Sequence, residues 1–265
     1  MTLIRSPDNA FFKSLKRLAE SARERRKRGC TLLDGAHLLT AYEQKFGSVE
    51  ALVVAESALA SAEIAGLIGG RDKVVITDRL MRDLGLVESP SGLLSLAKLP
   101  DGTPAVNHAT EAILLDGVQD PGNLGTLLRT AAAVGISQAL LSPGCASPWS
   151  PKALRAGQGA QFILSIHEDS DLAGFMADFR GTTVVTTLEA AMPLYDACWS
   201  EPLAWVFGAE GQGVRPALVA AAQLKVRLPM PGGTESLNVA AAAAVCLYES
   251  LRRRSAQVEL LQNGG

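Results

Sequence analysis

Short apolar runs alternate with stretches of helical spacing along most of the chain. Near the start, SPDNAFFKSLKRLAESARERR sets Phe12, Leu15 and Leu18 three residues apart, which predicts one helix capped by Ser6 or Asp8. Strand-like runs follow at Thr31–Leu33, Ala51–Val54, Lys73–Ile76 and Leu93–Ala97 with helical stretches between them, a pattern that describes a small α/β unit. The segment PDGTPAVNHAT, from Pro100 to Thr110, is polar and holds two prolines and a glycine, the composition of a linker. The expected division is therefore a domain at 1–103, a linker at 104–110 and a second domain at 111–265.

Six more strand-like runs, Ala112–Asp116, Gln138–Ser142, Gln161–Ile166, Thr183–Thr187, Leu203–Phe207 and Leu224–Leu228, alternate with helical patterns. Their apolarity is continuous rather than alternating, which marks strands covered on both faces and hence a parallel sheet between helices. Ligands of such sheets collect where the carboxyl ends of strands lead into helices. Three of those transitions have unusual residues. Asp116 opens DGVQDPGNLGTLLRTAAAVGI, in which Asn123 is placed to cap a helix with the apolar stripe Leu124, Leu127, Leu128 and Ala131. Arg129 lies off that stripe, either reaching over the sheet or serving as an ordinary exposed arginine. Phe207 leads into GAEGQGV, where glycines at 208, 211 and 213 surround Glu210. The third transition, PMPGGTESLNVAAAAAVCLYE, runs from a Pro- and Gly-rich loop through Ser236-Leu237-Asn238 into an alanine-rich helix. Small side chains all round suit that helix to deep packing, and Ser236 and Asn238 suit its start. By itself this is also what a capped, buried helix looks like.

Composition narrows the chemistry. The chain has 265 residues, enough for one large domain or two ordinary ones, and is 48% apolar with few aromatics. No apolar run approaches the roughly 18 residues of a membrane helix, and Met1–Lys13 lacks a signal-peptide layout, so a cytoplasmic protein without a membrane partner is expected. The four cysteines form no CxxC pair, and the three histidines are not at ligand spacing, so no metal site is expected. GAEGQGV is not the GxGxxG of a first βαβ unit and no Walker lysine occurs, which argues against a dinucleotide oxidoreductase and a nucleotide triphosphatase. The net charge of −2 conceals a basic cluster, Lys13, Lys16, Arg17, Arg23, Arg25, Arg26, Lys27 and Arg28, against only Glu20 and Glu24. Such density tracks phosphates, or else forms a solvated helix face.

Taken together, the three loops of the carboxyl half resemble the SpoU (TrmH-like) family of SPOUT-class RNA ribose methyltransferases. Asn123 and Arg129 meet its Asn-x5-Arg motif. Gly208-Ala209-Glu210-Gly211-Gln212-Gly213 meets its G-x-E-G-x-G, and Leu228-Pro229-Met230 with Ser236-Leu237-Asn238-Val239 meets the third motif, in the same order across roughly Ile113 to Leu251. The amino-terminal part is similar to the family's RNA-binding domain more loosely. Leu33-Asp34-Gly35 stands at a Glu-Gly pair and Ser89-Pro90-Ser91-Gly92 at a Pro-Gln-Gly segment.

The resemblance implies a parallel sheet with helices on both faces and a carboxyl-terminal trefoil knot, preceded by a small α/β (L30e-like) RNA-binding domain. It implies S-adenosylmethionine as cofactor, held by Thr186, Thr187, Leu188, Gly208, Glu210, Gly213, Leu228, Met230, Ser236, Leu237 and Asn238. Arg129 would act at the reacting ribose hydroxyl of an RNA, rRNA rather than tRNA, with Asn123, Glu210, Ser236 and Asn238 as the other catalytic residues. Glu210 also has a structural reading, as an acceptor of backbone N–H groups in its turn. Lys13, Lys16, Arg17, Arg25, Arg26, Lys27 and Arg129 would meet the RNA, and the protein would be a homodimer without metal. An arginine stays protonated at ordinary pH, so Arg129 suits positioning and phosphate binding better than proton removal. The competing readings are a SPOUT-class base methyltransferase and a non-catalytic RNA-binding or ribosome-assembly factor.

Overall fold

The amino-terminal helix that the Phe12, Leu15, Leu18 spacing predicts is broken in two in the structure, a computed structural model that describes residues 2–86, 89–102 and 104–263. A short strand precedes it, β1 (Thr2–Ile4). The cap of α1 (Ala10–Glu20) is Asn9 rather than Ser6 or Asp8, its side chain accepting from the amides of Phe11 and Phe12. Ser21 then ends α1 through its own N–H and starts α2 (Ala22–Arg28) by accepting from Glu24 N at 3.2 Å. Ser-x-x-Glu is an N-terminal signature, and here it restarts a helix inside what reads as one.

The break also reassigns a basic residue. Arg25 is buried, and its guanidinium donates to the carbonyls of Leu18 at 2.7 Å and Ala19 at 3.2 Å. Carbonyls at a helix end have no amide of the next turn to bond. Arg25 therefore serves the joint between the helices and is not a surface residue for RNA, which corrects the expectation from the basic run.

The remaining elements are β2 (Cys30–Asp34), α3 (Ala36–Phe46), β3 (Ala51–Ala55), α4 (Ala62–Ile68), β4 (Lys73–Ile76), α5 (Asp78–Asp83) and β5 (Leu93–Lys98). These are followed by β6 (Ala112–Asp116), α6 (Pro121–Ala133), β7 (Gln138–Leu141), α7 (Pro151–Gly157), β8 (Ser165–His167) and α8 (Leu172–Asp178). The chain ends with β9 (Thr182–Thr186), β10 (Met192–Pro193), β11 (Leu203–Gly208), α9 (Pro216–Ala221), β12 (Leu224–Arg227) and α10 (Val239–Asn263).

Two compact units result. One comprises Met1–Gly102 with Ser147–Phe162, the other Thr103–Ala146 with Ile163–Gly265; residue 103, at the expected domain boundary, lies outside the described residues. The first unit holds a mixed sheet of order β1-β4-β3-β5-β2, in which β1, β4 and β3 are parallel and β5 runs antiparallel to both β3 and β2. Its α7 segment is bound in by Leu154 and Phe162, packed with Leu33, Leu38 and Tyr42, and by an ion pair of Arg155 with buried Asp34. The run Gln161–Ile166 is not one strand. Gln161 donates to the carbonyls of Pro148 and Ala153 within a 3-10 turn, so pairing begins only at Ser165.

The second unit is built on a wholly parallel sheet of order β10-β12-β9-β11-β6-β7-β8. Residues of one face, among them Ala112, Leu114, Val185, Ala204 and Val206, pack with Leu172, Phe175, Met176 and Leu218 of α8 and α9. Trp205, pointing the other way, donates its Nε1 to Ser250 Oγ of α10 at 3.1 Å. This accounts for the continuous apolarity, since each strand side has a cover. Residues 104–110 are tied to this unit, where Gln138 donates to Asn107 O and Thr110 O and accepts from Asn107 N.

Two of the three consecutive arginines of α10, Arg253 and Arg254, are not free surface residues. Arg253 stacks on Trp199 at 4.1 Å, pairs with Glu249 and donates to the carbonyls of Leu194, Tyr195 and Ala197. Arg254 pairs with Glu111 and donates to Val134 O. Arg252 alone of the three stays mostly exposed.

Candidate active site

Strand order brings the three unusual loops to one end of the second unit. β12, β9, β11 and β6 are neighbours and parallel, so their carboxyl ends point the same way. Those ends carry Val226-Arg227-Leu228, Thr186-Thr187-Leu188, Gly208 and Asp116. From β6 the chain leads to β7 on one side, and from the adjacent β11 it leads to β12 on the other, so β6 and β11 flank a topological switch point, where sheets of this kind bind ligands.

Asn123 does not cap α6. Asp120 does, accepting from Asn123 N at 2.8 Å, and leaves the Asn123 side chain free. That amide donates from Nδ2 to Glu210 Oε1 at 2.7 Å and accepts at Oδ1 from Asn238 Nδ2 at 3.0 Å. Asn238 in turn caps α10, its Oδ1 accepting from Ala240 N at 2.9 Å and Ala241 N at 3.2 Å. The direction of this relay is set at both ends. Helix N–H groups only donate, so Asn238 must face them with its oxygen and face Asn123 with its nitrogen. An ionised carboxylate only accepts, so Asn123 must offer Glu210 its nitrogen. Residues 123, 210 and 238 are thereby joined in one ordered chain.

The turn that carries Glu210 is closed tightly. Gly213 N donates to Ala209 O at 2.8 Å, with Gly213 at φ 67°. A Cβ on Gly208 would lie 2.1 Å from the carbonyl of Gly213, so only glycine permits this fold-back. At the downstream root of the turn, Asp116 accepts from Arg215 N at 2.9 Å and from Arg215 Nε at 2.7 Å. The Asp116 side chain is 3% exposed and that of Arg215 60%. Neither was singled out from the sequence as a functional residue. An aspartate at the very end of a strand, before a glycine and beside the switch point, is the signal that was available. Cys145 also lies near, its Sγ donating to Leu115 O, and burial pushes its thiol pKa up.

Of the catalytic residues expected from the sequence, Asn123, Glu210 and Asn238 are brought together. Among the described residues Glu210 accepts from the Asn123 side chain and from no backbone N–H of its turn. Arg129 is exposed on α6, and its side chain, like that of Ser236, makes no hydrogen bond or ion pair with any described residue. Leu188 and Leu237 are large apolar side chains left 62% and 46% exposed. Thr187 N bonds Val226 O at 3.0 Å, which holds the loop after β9 against β12. Leu228 and Met230 are half-buried, and Thr186 ends β9 beside Val226. Among the described residues no helix is long and apolar enough to cross a membrane, and no group of three or more His, Cys, Asp or Glu could hold a metal.

The model of the SpoU rRNA Methylase family matches residues 111–248. The 23S rRNA (guanosine(2553)-2'-O)-methyltransferase RlmP of Bacillus subtilis is 30% identical over 94% of this chain and 98% of its own length. A crystal structure of an RNA 2'-O ribose methyltransferase superposes with a TM-score of 0.84 at 30% identity, covering 96% of this chain and 99% of that one. The SpoU methyltransferase AviRb of Streptomyces viridochromogenes, solved with AdoMet, shares the fold at a TM-score of 0.80 and 24% identity, over 93% and 98% of the two chains. With the ordered motifs and the relay that joins them, these matches establish that the chain belongs to the SpoU rRNA methylase family.

Proposed function

We propose that this protein transfers a methyl group from S-adenosylmethionine to a ribose 2'-hydroxyl of RNA, ribosomal RNA in preference to transfer RNA. The single observation that carries the reading is the Asn238–Asn123–Glu210 relay, in which the family's three motifs meet as one hydrogen-bonded unit. The rRNA preference draws support from the likeness to RlmP over nearly the whole chain.

The residues present fit the cofactor. The loop ends offer apolar surface at Leu188, Leu228, Met230 and Leu237, as a buried adenosyl group requires. The backbone at Gly208 and Gly213, and the polar Thr186, Thr187, Glu210, Ser236 and Asn238, would supply hydrogen bonds around it. When bound, S-adenosylmethionine supplies an electrophilic methyl group.

What the chain must do is seat and orient the hydroxyl, since fixing two reactants in line accounts for much of the rate in a displacement of this kind. Arg129, exposed and unpaired among the described residues, is available to grip the RNA phosphate beside the reacting ribose. Its guanidinium does not give up its proton, so the hydroxyl proton leaves to that phosphate or to solvent. Asn123 and Asn238 tie the loops of the site together, and Ser236 lies free to bond the ribose. Arg129→Ala should abolish methyl transfer while calorimetry finds S-adenosylmethionine binding nearly intact; equal loss of both would make Arg129 a structural residue and overturn its role. Resistance of the product to alkaline cleavage separates ribose methylation from base methylation, because only a blocked 2'-oxygen protects the adjoining phosphodiester.

The amino-terminal region, 1–103, is read as the RNA-binding domain, with Lys13, Lys16, Arg17, Arg26 and Lys27 exposed on α1 and α2. The methyltransferase unit is read as a homodimer with a trefoil-knotted carboxyl terminus. On α10, Ala241, Val245 and Tyr248 continue the helical stripe from Leu237, and all four are exposed in the single chain. An apolar stripe of this kind on a helix otherwise packed into the core suits a second copy. Action in the cytoplasm is consistent with an RNA substrate.

A further inference from the structure

We infer that Arg215 is a further RNA-phosphate contact of the active site, held in place by the buried carboxylate of Asp116. The pair is asymmetric, with the Asp116 side chain 3% exposed and that of Arg215 60%. A buried carboxylate must be supplied with donors. Arg215 supplies two, through its main-chain N at 2.9 Å and its Nε at 2.7 Å. The two terminal nitrogens of the guanidinium make no hydrogen bond to any described residue. A guanidinium is a rigid planar fork, and the edge formed by its terminal nitrogens matches two oxygens of a phosphate.

Position favours the same reading. Arg215 stands at the downstream root of the turn whose other arm holds Glu210 against Asn123. Gly117, the neighbour of Asp116, faces Ala209 at that turn, with the Ala209 Cβ 3.9 Å from where a Cβ of its own would lie. An arginine whose Nε is pinned beside that turn, with its far edge exposed, is pre-organised to take an anion with little loss of rotamer freedom. The anion that the proposed reaction brings there is a phosphodiester of the RNA. Arg215 would then bind substrate, and Asp116 would be its positioning residue.

The inference rests on the ribose being seated at the Asn123 relay, and the test separates the two. RNA binding is measured against potassium chloride concentration for the wild type and Arg215→Gln, with S-adenosylmethionine affinity followed by calorimetry. Arg215→Gln should weaken RNA binding about tenfold or more and lower the log–log salt slope by about one, with cofactor affinity unchanged within about twofold. Unchanged RNA affinity and slope, or a parallel loss of cofactor affinity, would overturn it. Should Arg215→Gln not fold, Arg215→Lys keeps the charge and the backbone donor but not the fork. It is expected to weaken RNA binding several-fold with the slope retained, and wild-type affinity would refute the proposal. Asn123→Ala serves as the reference. If it still methylates RNA normally, the seating of the ribose fails and this inference with it. If it is inactive while Arg215→Gln behaves as wild type, only the role of Arg215 fails.

Discussion

Replacing Asn123 by Asp tests whether the relay is directional. The two side chains are nearly isosteric, but the change turns the donor facing Glu210 into an acceptor at a position where the contact is 2.7 Å. One amide-to-carboxylate hydrogen bond is lost, worth about 1.5 kcal/mol for an ionised acceptor. Two like charges about 4 Å apart add repulsion of roughly 1 kcal/mol in water and about 4 kcal/mol nearer a low-dielectric surface. Glu210 is exposed, so the lower end of that range applies. The sum is about 2–3 kcal/mol, or a fall in Tm of roughly 4–10 °C for a unit of this size. The bond from Asn238 Nδ2 survives, because its acceptor is still an oxygen. Differential scanning fluorimetry on Asn123→Asp, Glu210→Gln and the double variant gives the answer. In the double variant a Gln amide can donate to the new carboxylate, so most of the lost Tm should return. A double variant no more stable than Asn123→Asp would refute the relay as the force that joins the motifs. Single-turnover methyl transfer, followed alongside, should fall about a hundredfold in Asn123→Asp, which corresponds to about 2.7 kcal/mol of lost transition-state positioning.

Three further outcomes follow from the same geometry. Gly208→Ala should abolish cofactor binding in calorimetry, because its Cβ would meet the Gly213 backbone, whereas Gly211→Ala, whose Cβ meets nothing within 4 Å, should bind normally. Arg25→Met should lower Tm and leave the salt slope of RNA binding unchanged, while Lys27→Gln should lower the slope by about one at constant Tm; the reverse pattern would reject the structural role of Arg25. The hydrogen bond from Arg252, then that from Arg253, holds the Glu249 carboxyl down from its ordinary 4.5 to about 2. A depressed carboxylate stabilises the fold above its unfolded pKa and ceases to as pH falls through the folded value. Urea unfolding should therefore show stability lost between pH 4.5 and 2, roughly 1–2 kcal/mol once screening at the mostly exposed Arg252 is allowed for, and less loss in Glu249→Gln.

Much of this was legible because strands buried on both faces announce themselves as continuous apolar runs. Ala112–Asp116 and Lys73–Ile76 begin and end where the pattern places them. What periodicity could not show are features decided by single polar groups. Ser21 splits a helix without disturbing the Phe12, Leu15, Leu18 stripe, and the split draws Arg25 inward. Gln161 looks strand-like in an apolar run, yet its amide is committed to two carbonyls of the α7 segment. β10 is two residues long, paired to β12 at the sheet edge, and too short to leave a pattern. At the site, the motifs named Asn123, Glu210 and Asn238 but not their mutual bonds, and nothing in the spacing linked Asp116 to a residue 99 positions on.

That Asp120 rather than Asn123 caps α6 is the key to the site. An asparagine at an N-cap uses its side-chain oxygen on the helix N–H groups and has only its nitrogen left. Had Asn123 capped α6, it could have bonded one partner motif through its side chain and not two. Asp120 takes that duty, accepting from Asn123 N, and so leaves both ends of the Asn123 amide free. Asn238 is in the opposite position, for it does cap its helix and therefore has only a donor to offer. One capping asparagine and one relieved of capping are what a chain running from a helix terminus to a carboxylate requires. Asp120→Ala, which lies outside the relay, should accordingly weaken it, because Asn123 would be drawn toward the uncapped N–H groups of α6. Such a variant losing only the stability of a missing cap, about 1 kcal/mol, with methyl transfer at the wild-type rate, would show that the relay does not depend on this division of duties.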